Sequence, residues 1–261
     1  MLLAIDSGNT NIVFAVYDAD EGLRGSWRAS TEAKRTADEY AVWLTQLMAL
    51  EGLSPDDVDG AIIANVVPPT MFALADLCTR YFKVTPLVVG EPGVDLGIEV
   101  RIDRPDQVGA DRLVNAVAAH ASFGGSLILI DFGTATTFDV IGTDGAYEGG
   151  AIAPGINVSL EALDRAAAKL PRIAIKEPPQ QVIGQATVPA MESGAYWGYV
   201  GLIEGLVTRI KGEYGRPMKV VATGGLASLF SRATDSIDAV DPDLTLRGLL
   251  AIYRANREAG T

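Results

Sequence analysis

The stretch Ile5-Asp6-Ser7-Gly8-Asn9-Thr10-Asn11-Ile12-Val13-Phe14-Ala15-Val16, IDSGNTNIVFAV, runs from an apolar strand into a carboxylate, then a polar tip, then a second apolar run reaching Tyr17. Alone it reads as a hairpin whose Asp and Asn satisfy turn geometry. The same grammar returns as IDFGTATTFDVI at 130–141, with Asp6 over Asp131, Gly8 over Gly133 and Asn9 over Thr134. A strand, carboxylate, turn and strand repeated after about half the chain predicts an α/β fold of two similar domains facing a central cleft, each supplying a hairpin. The boundary is expected near Asn115, giving domains 1–115 and 116–261.

Outward from the first hairpin, apolar residues at helical spacing predict a helix over 36–50, and GAIIANVV (60–67) reads as a strand ended by Pro68-Pro69. A helix over 71–82, a short strand over 86–89 and a helix over 107–121 follow. The second half repeats the pattern: strands at 127–132 and 136–141, helices near 156–169 and 190–212, a strand at 219–222, a Gly224-Gly225 turn with a short helix, and a last helix over 246–258. The stretch Lys176-Glu177-Pro178-Pro179 is expected to be an extended connector.

Composition narrows the chemistry. With 261 residues, 48% hydrophobic and 21% charged, the chain has the profile of a globular α/β enzyme. Its net charge of -12 disfavours nucleic acid, whose binding depends on Lys and Arg displacing counterions. Any phosphate must be held locally, by backbone N–H groups, a few cations and metal ions. Cys78 is the only cysteine, and neither a leader nor an apolar run long enough to cross a bilayer is visible, so no membrane partner and a cytoplasmic location are expected. The single histidine, His120, lies in an Ala-rich helical stretch, where a structural role is commoner than catalysis.

Several segments carry candidate chemistry. Gly8 lets consecutive N–H groups turn toward an anion, and Asn9, Thr10 and Asn11 add neutral donors. Asp6 at the strand end is suited to a hydrated Mg²⁺ rather than to direct contact with phosphate. Two such hairpins match the needs of a nucleoside triphosphate, with Val220–Gly225 as a nucleoside platform or simply a strand–turn–helix corner. In Gly109-Ala110-Asp111-Arg112, the first helical turn favours the Asp111 carboxylate, which could position a substrate hydroxyl, while Arg112 could hold a carboxylate or phosphoryl group. The alternative is an ordinary N-terminal Asp beside a surface Arg. Glu148-Gly149-Gly150-Ala151-Ile152-Ala153-Pro154-Gly155 is expected to form a rigid loop before a helix, and Thr187 either caps a helix, the commoner role, or contacts substrate.

In order, D-S-G-N-T (6–10), V-V-P (66–68), G-A-D-R (109–112), D-F-G-T-A-T (131–136), E-G-G-A-I-A-P-G (148–155), the Leu170-Pro171 corner, A-M-E-S-G (190–194) and A-T-G-G (222–225) resemble the type III pantothenate kinases. The resemblance spans essentially the whole chain. It implies two ribonuclease-H-like, actin-like ATPase domains and ATP-dependent phosphorylation of pantothenate at its primary alcohol, the first step of coenzyme A synthesis. Carried over by position, Asp6, Ser7, Gly8, Asn9, Thr10, Asn11, Ile12 and Val13 form the ATP phosphate loop, with Mg²⁺ held through water by Asp6. Thr134 contacts ATP, Asp131 binds K⁺ or NH₄⁺, and Asp111 is the catalytic residue, while Gly224 and Gly225, read above as the nucleoside platform, are expected to meet ATP as well. Gly109, Ala110, Asp111 and Arg112 meet pantothenate, as does Thr187 from the second subunit of a homodimer. Ile102, in the same pocket, replaces a Tyr common in the family and offers only apolar contact; Ala166-Ala167-Ala168 replace Arg-Thr-Ala. The alternatives are a non-catalytic nucleotide-binding regulator and a kinase for another small alcohol.

Overall fold

The computed structural model describes residues 1–167, 170–175 and 177–258. Ala168 of the triple alanine, Lys169 at the expected end of a helix, and Lys176 of the connector lie outside the described residues. The chain divides into two compact units, one comprising Met1–Glu99, Asp103–Ala121 and Leu244–Thr261, the other Val100–Ile102 and Ser122–Asp243.

In the first unit, strands β1 (Leu2–Ser7), β2 (Asn11–Tyr17), β3 (Leu23–Ser30), β4 (Gly60–Asn65) and β5 (Pro86–Val88) form one sheet in the order β3-β2-β1-β4-β5. The first three are an antiparallel meander, and β4 and β5 run parallel to β1. Because side chains alternate across a strand, Leu3, Ile5, Phe14 and Val16 meet helices α1 (Ala37–Leu50) and α2 (Met71–Tyr81), burying Tyr40, Leu44, Leu74 and Leu77. Leu2, Ala4, Ala15 and Ile62 face the other way, onto Val114 of α3 (Ala110–Phe123) and Leu249 and Ile252 of the C-terminal helix α7 (Leu244–Glu258). Helix α7 therefore returns to the first sheet although it follows the whole second half in sequence. Its Gly248 is needed for this approach, since a Cβ there would stand 2.2 Å from the Val114 carbonyl oxygen.

The second unit repeats the plan with β6 (Leu127–Phe132), β7 (Ala135–Ile141), β8 (Tyr147–Pro154), β9 (Lys219–Gly224) and β10 (Ala239–Val240), ordered β10-β9-β6-β7-β8. Ile128, Ile130, Phe138 and Val220 bury one face under α4 (Ile156–Ala166), α5 (Thr187–Tyr214) and α6 (Ala227–Phe230), where Tyr196, Tyr199, Ile203 and Phe230 fill the core. The segment Glu148–Pro154, expected as a loop, is most of strand β8. Its edge position tolerates Pro154 at the end, and the two glycines fall beside the irregular register at Val140/Ile141.

The two hairpins differ by one residue. Gly8 to Asn11 lie between the paired Ser7 and Ile12, whereas Gly133 to Ala135 lie between the paired Phe132 and Thr136. Phe14, opposite Ile5, is thus the structural counterpart of Phe138, opposite Ile130, and the ungapped sequence echo slips by one beyond the tip.

Candidate active site

The first unit gathers its candidate residues at the carboxyl ends of β1 and β4, where open α/β sheets bind ligands. Asp6 is half-buried and shares the face of Leu2 and Ala4, which α3 covers. Ser7 points inward. Its fully buried hydroxyl lies 3.0 Å from Thr70 Oγ1, which also approaches Asn65 Oδ1 (3.2 Å) and the Val67 carbonyl (2.9 Å). Val66 N–H donates to the Ser7 carbonyl at 3.0 Å, and Val67 N–H donates to Asn65 Oδ1 at 2.9 Å, so the turn after β4 is fastened to the end of β1. Ser7→Ala removes one contact of the buried Thr70 hydroxyl, which keeps Asn65 Oδ1 and the Val67 carbonyl, and is expected to cost about 0.5–1.5 kcal/mol. A urea denaturation series on the purified variant measures this cost.

Gly8, Asn9 and Thr10 form the accessible tip, while Ile12 is fully buried in the core and serves as its anchor. Gly8 N–H donates to the Asn11 carbonyl at 3.0 Å, which closes the turn. The opening of α3 lies on the same side of this unit: a Cβ on Gly109 would come 3.5 Å from Val66 Cγ1 and 2.6 Å from Asp111 Oδ1. Gly109 thus gives the Asp111 carboxylate room to fold back, where its Oδ1 accepts the Arg112 N–H at 2.8 Å. Ala110 is buried and Arg112 half-buried. His120 lies nine positions along α3 from Asp111, about 13 Å at the helical rise, so the two do not pair. Its Nδ1 is enclosed without a hydrogen-bond partner among the described residues. Cys78 is fully buried, and burial pushes its thiol up to about 12, far from a nucleophile's range.

In the second unit, three motifs separated in sequence converge on the β6–β7 hairpin. A Cβ on Gly224 would stand 2.6 Å from Asp131 Oδ1 and 2.7 Å from both the N and O of Phe132, and its φ is +90°. The A-T-G-G turn therefore rests against the Asp131 carboxylate, with Gly225 open beside it. Gly155 N–H donates to the Thr134 carbonyl at 3.0 Å, and a Cβ there would lie 2.4 Å from that oxygen. The start of α4 is thereby seated on the hairpin tip. Asp131 pairs in register with Thr137 on one side and Thr223 on the other, so the three side chains share one face of the sheet, and the Thr137 hydroxyl donates to Asp139 Oδ2 at 3.0 Å. No three His, Cys, Asp or Glu side chains cluster as a metal site among the described residues. A cation here would complete its shell with phosphate oxygens or water.

Ile102 belongs to this unit, packed where a Cβ on Gly149 would approach its Cγ2 to 3.6 Å. Thr187 does not cap α5: the N-cap is Ala186, no side chain caps that end, and Thr187 is exposed. Pro189 sits in the first turn, where its missing N–H has no cost, so the helix starts earlier than its apolar spacing suggests. Sequence reading missed Thr31, Asn65 and Thr70, which hold the first hairpin in place. Short hydroxyl residues after a strand have no periodic signal, and only the folded register brings them to the tip.

A family model described as type III pantothenate kinase matches residues 2–209. The chain belongs to the type III pantothenate kinase family. The type III pantothenate kinase of Paramagnetospirillum magneticum is 69% identical over 256 residues, covering 98% of each chain. That of Rhodospirillum rubrum is 67% identical over 257 residues, covering 98% of this chain and 99% of its own. Among solved structures, a conserved Baf-family protein from Campylobacter jejuni superposes with a TM-score of 0.62 at 19% identity, covering 98% of this chain and 99% of that one. An activator of 2-hydroxyisocaproyl-CoA dehydratase from Clostridium difficile gives 0.56 at 13% identity, covering 99% and 96%. These last two likenesses concern the fold alone, two α/β units each built on a five-stranded mixed sheet. Membership in a kinase family implies ATP with Mg²⁺, and Asp6 at the end of β1 is a carboxylate of the kind that holds a hydrated Mg²⁺.

Proposed function

We propose that this protein transfers the γ-phosphoryl group of ATP to the primary alcohol of pantothenate, giving 4'-phosphopantothenate for coenzyme A synthesis. The observation that carries the reading is the opening of α3: Asp111 lies over Gly109, beside the turn that fastens β4 to the Asp6 strand end. In this reading Asp111 accepts a hydrogen bond from the alcohol and aims it at the γ-phosphorus. Because the hydroxyl proton leaves late in a loose transition state, orientation matters more than basicity. Arg112 holds the pantothenate carboxylate or the transferring group with its planar fork. Donors of the Gly8–Thr10 tip hold phosphate oxygens, and Thr134, Gly224 and Gly225 meet the nucleotide on the second unit. Mg²⁺, positioned through water by Asp6, neutralises phosphate charge when bound.

The reading extends to a monovalent cation, K⁺ or NH₄⁺, at Asp131 between Thr137 and Thr223. It also extends to a homodimer in which Thr187 reaches a neighbouring subunit's pantothenate. Support for the dimer comes from the apolar surface around Thr187, where Val182 is 66%, Ile183 82%, Val188 38% and Trp197 37% exposed. A cytoplasmic setting, rich in ATP and K⁺, goes with this chemistry. Among the described residues no helix is long and apolar enough to cross a membrane.

ADP release is the test, run with pantothenate, with other small alcohols and with no acceptor, each in K⁺ and in Na⁺. Turnover that needs pantothenate and falls at least about tenfold in Na⁺ is expected. Equal rates in both salts remove the cation site. Turnover with another alcohol alone points to a different acceptor, and nucleotide binding without turnover points to a regulator.

A further inference from the structure

Both units carry a strap that runs from the end of the third meander strand back to the hairpin tip. In the first unit, Thr31, immediately after β3, uses both of its donors: its N–H donates to the Thr10 carbonyl at 3.0 Å and its hydroxyl to the Gly8 carbonyl at 2.6 Å. In the second, Gly155, immediately after β8, donates its N–H to the Thr134 carbonyl at 3.0 Å. The same topological position thus restrains both tips. Only the longer first tip needs a side chain to do so.

The consequence follows from peptide geometry. In a trans peptide the C=O of one residue and the N–H of the next point in opposite directions. No cis peptide occurs among the described residues. With the Gly8 and Thr10 carbonyls drawn toward Thr31, the N–H groups of Asn9 and Asn11 are aimed away from it. The strap is itself anchored. Arg35 N–H donates to the Glu32 carbonyl at 3.0 Å, and the Arg35 guanidinium lies 4.7 Å over the Tyr40 ring and 5.5 Å over Trp43. Thr36 and Glu39 then close a capping box that starts α1, with Thr36 N–H donating to Glu39 Oε2 at 2.8 Å.

We infer that Thr31 is a positioning residue for nucleotide phosphates: it sets the direction of the backbone donors at the Gly8–Asn11 tip without touching the ligand. The inference rests on the proposed function only in taking ATP as the ligand of that tip. Thr31→Val keeps the shape and the N–H but removes the hydroxyl bond to Gly8, whereas Thr31→Ser keeps both bonds.

Titration calorimetry with ATP·Mg²⁺ and with adenosine, on the wild type and both variants, tests this directly. The expected result is ATP affinity lowered about tenfold in Thr31→Val and restored in Thr31→Ser, with adenosine affinity unchanged in both. In turnover, KM for ATP rises and KM for pantothenate stays within about twofold. If Thr31→Val proves unstable, Thr31→Ala gives the same comparison, because each variant's ATP to adenosine ratio is its own control. ATP affinity unchanged in Thr31→Val, or an equal fall for ATP and adenosine, overturns the inference. Wild-type protein that binds ATP but leaves pantothenate unphosphorylated overturns the proposed reaction and leaves the strap standing. No binding of ATP·Mg²⁺ by the wild type overturns both.

Discussion

Asp111→Asn is expected to lower kcat by about 10²–10⁴-fold while changing ATP affinity by no more than about threefold, the range typical of losing a group that orients and accepts a proton. The substitution is nearly isosteric. The amide oxygen it introduces can still accept the Arg112 N–H that Asp111 Oδ1 accepts at 2.8 Å, so the first turn of α3 is preserved. What changes is the second position of the side chain, which becomes a donor and cannot take a hydroxyl proton. Rapid-quench measurement of the first turnover, with ATP and pantothenate both saturating, separates this loss from product release. A near-normal rate of the chemical step in Asp111→Asn removes Asp111 from the reaction.

Gly224→Ala should be comparably damaging, by a different route. Its φ of +90° strains any residue with a Cβ, and that Cβ would sit 2.6 Å from Asp131 Oδ1 and 2.7 Å from Phe132 backbone atoms. Two of those three contacts are with backbone that cannot rotate away. Either the Asp131 carboxylate swings out or the end of β9 separates from β6, where Phe132 and Gly224 are paired. The first outcome costs the proposed cation site and the second costs stability of several kcal/mol, about 2–4 by analogy with overpacked cores and strained backbone. Thermal melting with and without K⁺ distinguishes them. Wild-type melting and wild-type turnover in Gly224→Ala contradict the close approach of the A-T-G-G turn to Asp131.

Much of the architecture was legible because it is written in periodicities. The apolar runs of β1, β2, β6, β7 and β9 and the helical spacing of α1, α2 and α7 agree with the sequence to within a few residues. The strands that escaped are β3, β8 and the two-residue β10. In β3, Leu23–Ser30, most positions are exposed and Gly25 interrupts the pattern, so no buried stripe marks it. In β8, Gly149, Gly150 and Pro154 carry the composition of a loop, and only pairing with β7 makes them a strand. The position of α7 was also beyond local reading. Its apolar residues predict a helix, but which sheet it covers depends on Gly248 meeting Val114.

The candidate site divides the same way. Residues whose chemistry is intrinsic, Asp6, Asp111 and Asp131, stand out in a sequence because each carboxylate lies two positions from a glycine within an ordered motif. Ser7 looks like another tip residue, yet pleating turns it inward to Thr70. Thr187 looks like a helix cap, yet Ala186 occupies that place and leaves the threonine exposed. Thr31 carries no signal of its own and gains its role only when β3 brings it beside the tip. Intrinsic chemistry can be read from residue types, whereas the direction of a side chain is settled by register.

Mass spectrometry of the acceptor after incubation with ATP, Mg²⁺, K⁺ and pantothenate decides whether the phosphoryl group reaches the alcohol, because it reports the bond formed and not only the nucleotide consumed. The expected result is 4'-phosphopantothenate appearing one for one with ADP, with both products slowed by about 10²–10⁴-fold in Asp111→Asn. ADP formed without phosphorylated pantothenate, or pantothenate recovered unchanged from active, ATP-binding protein, would contradict the proposed reaction.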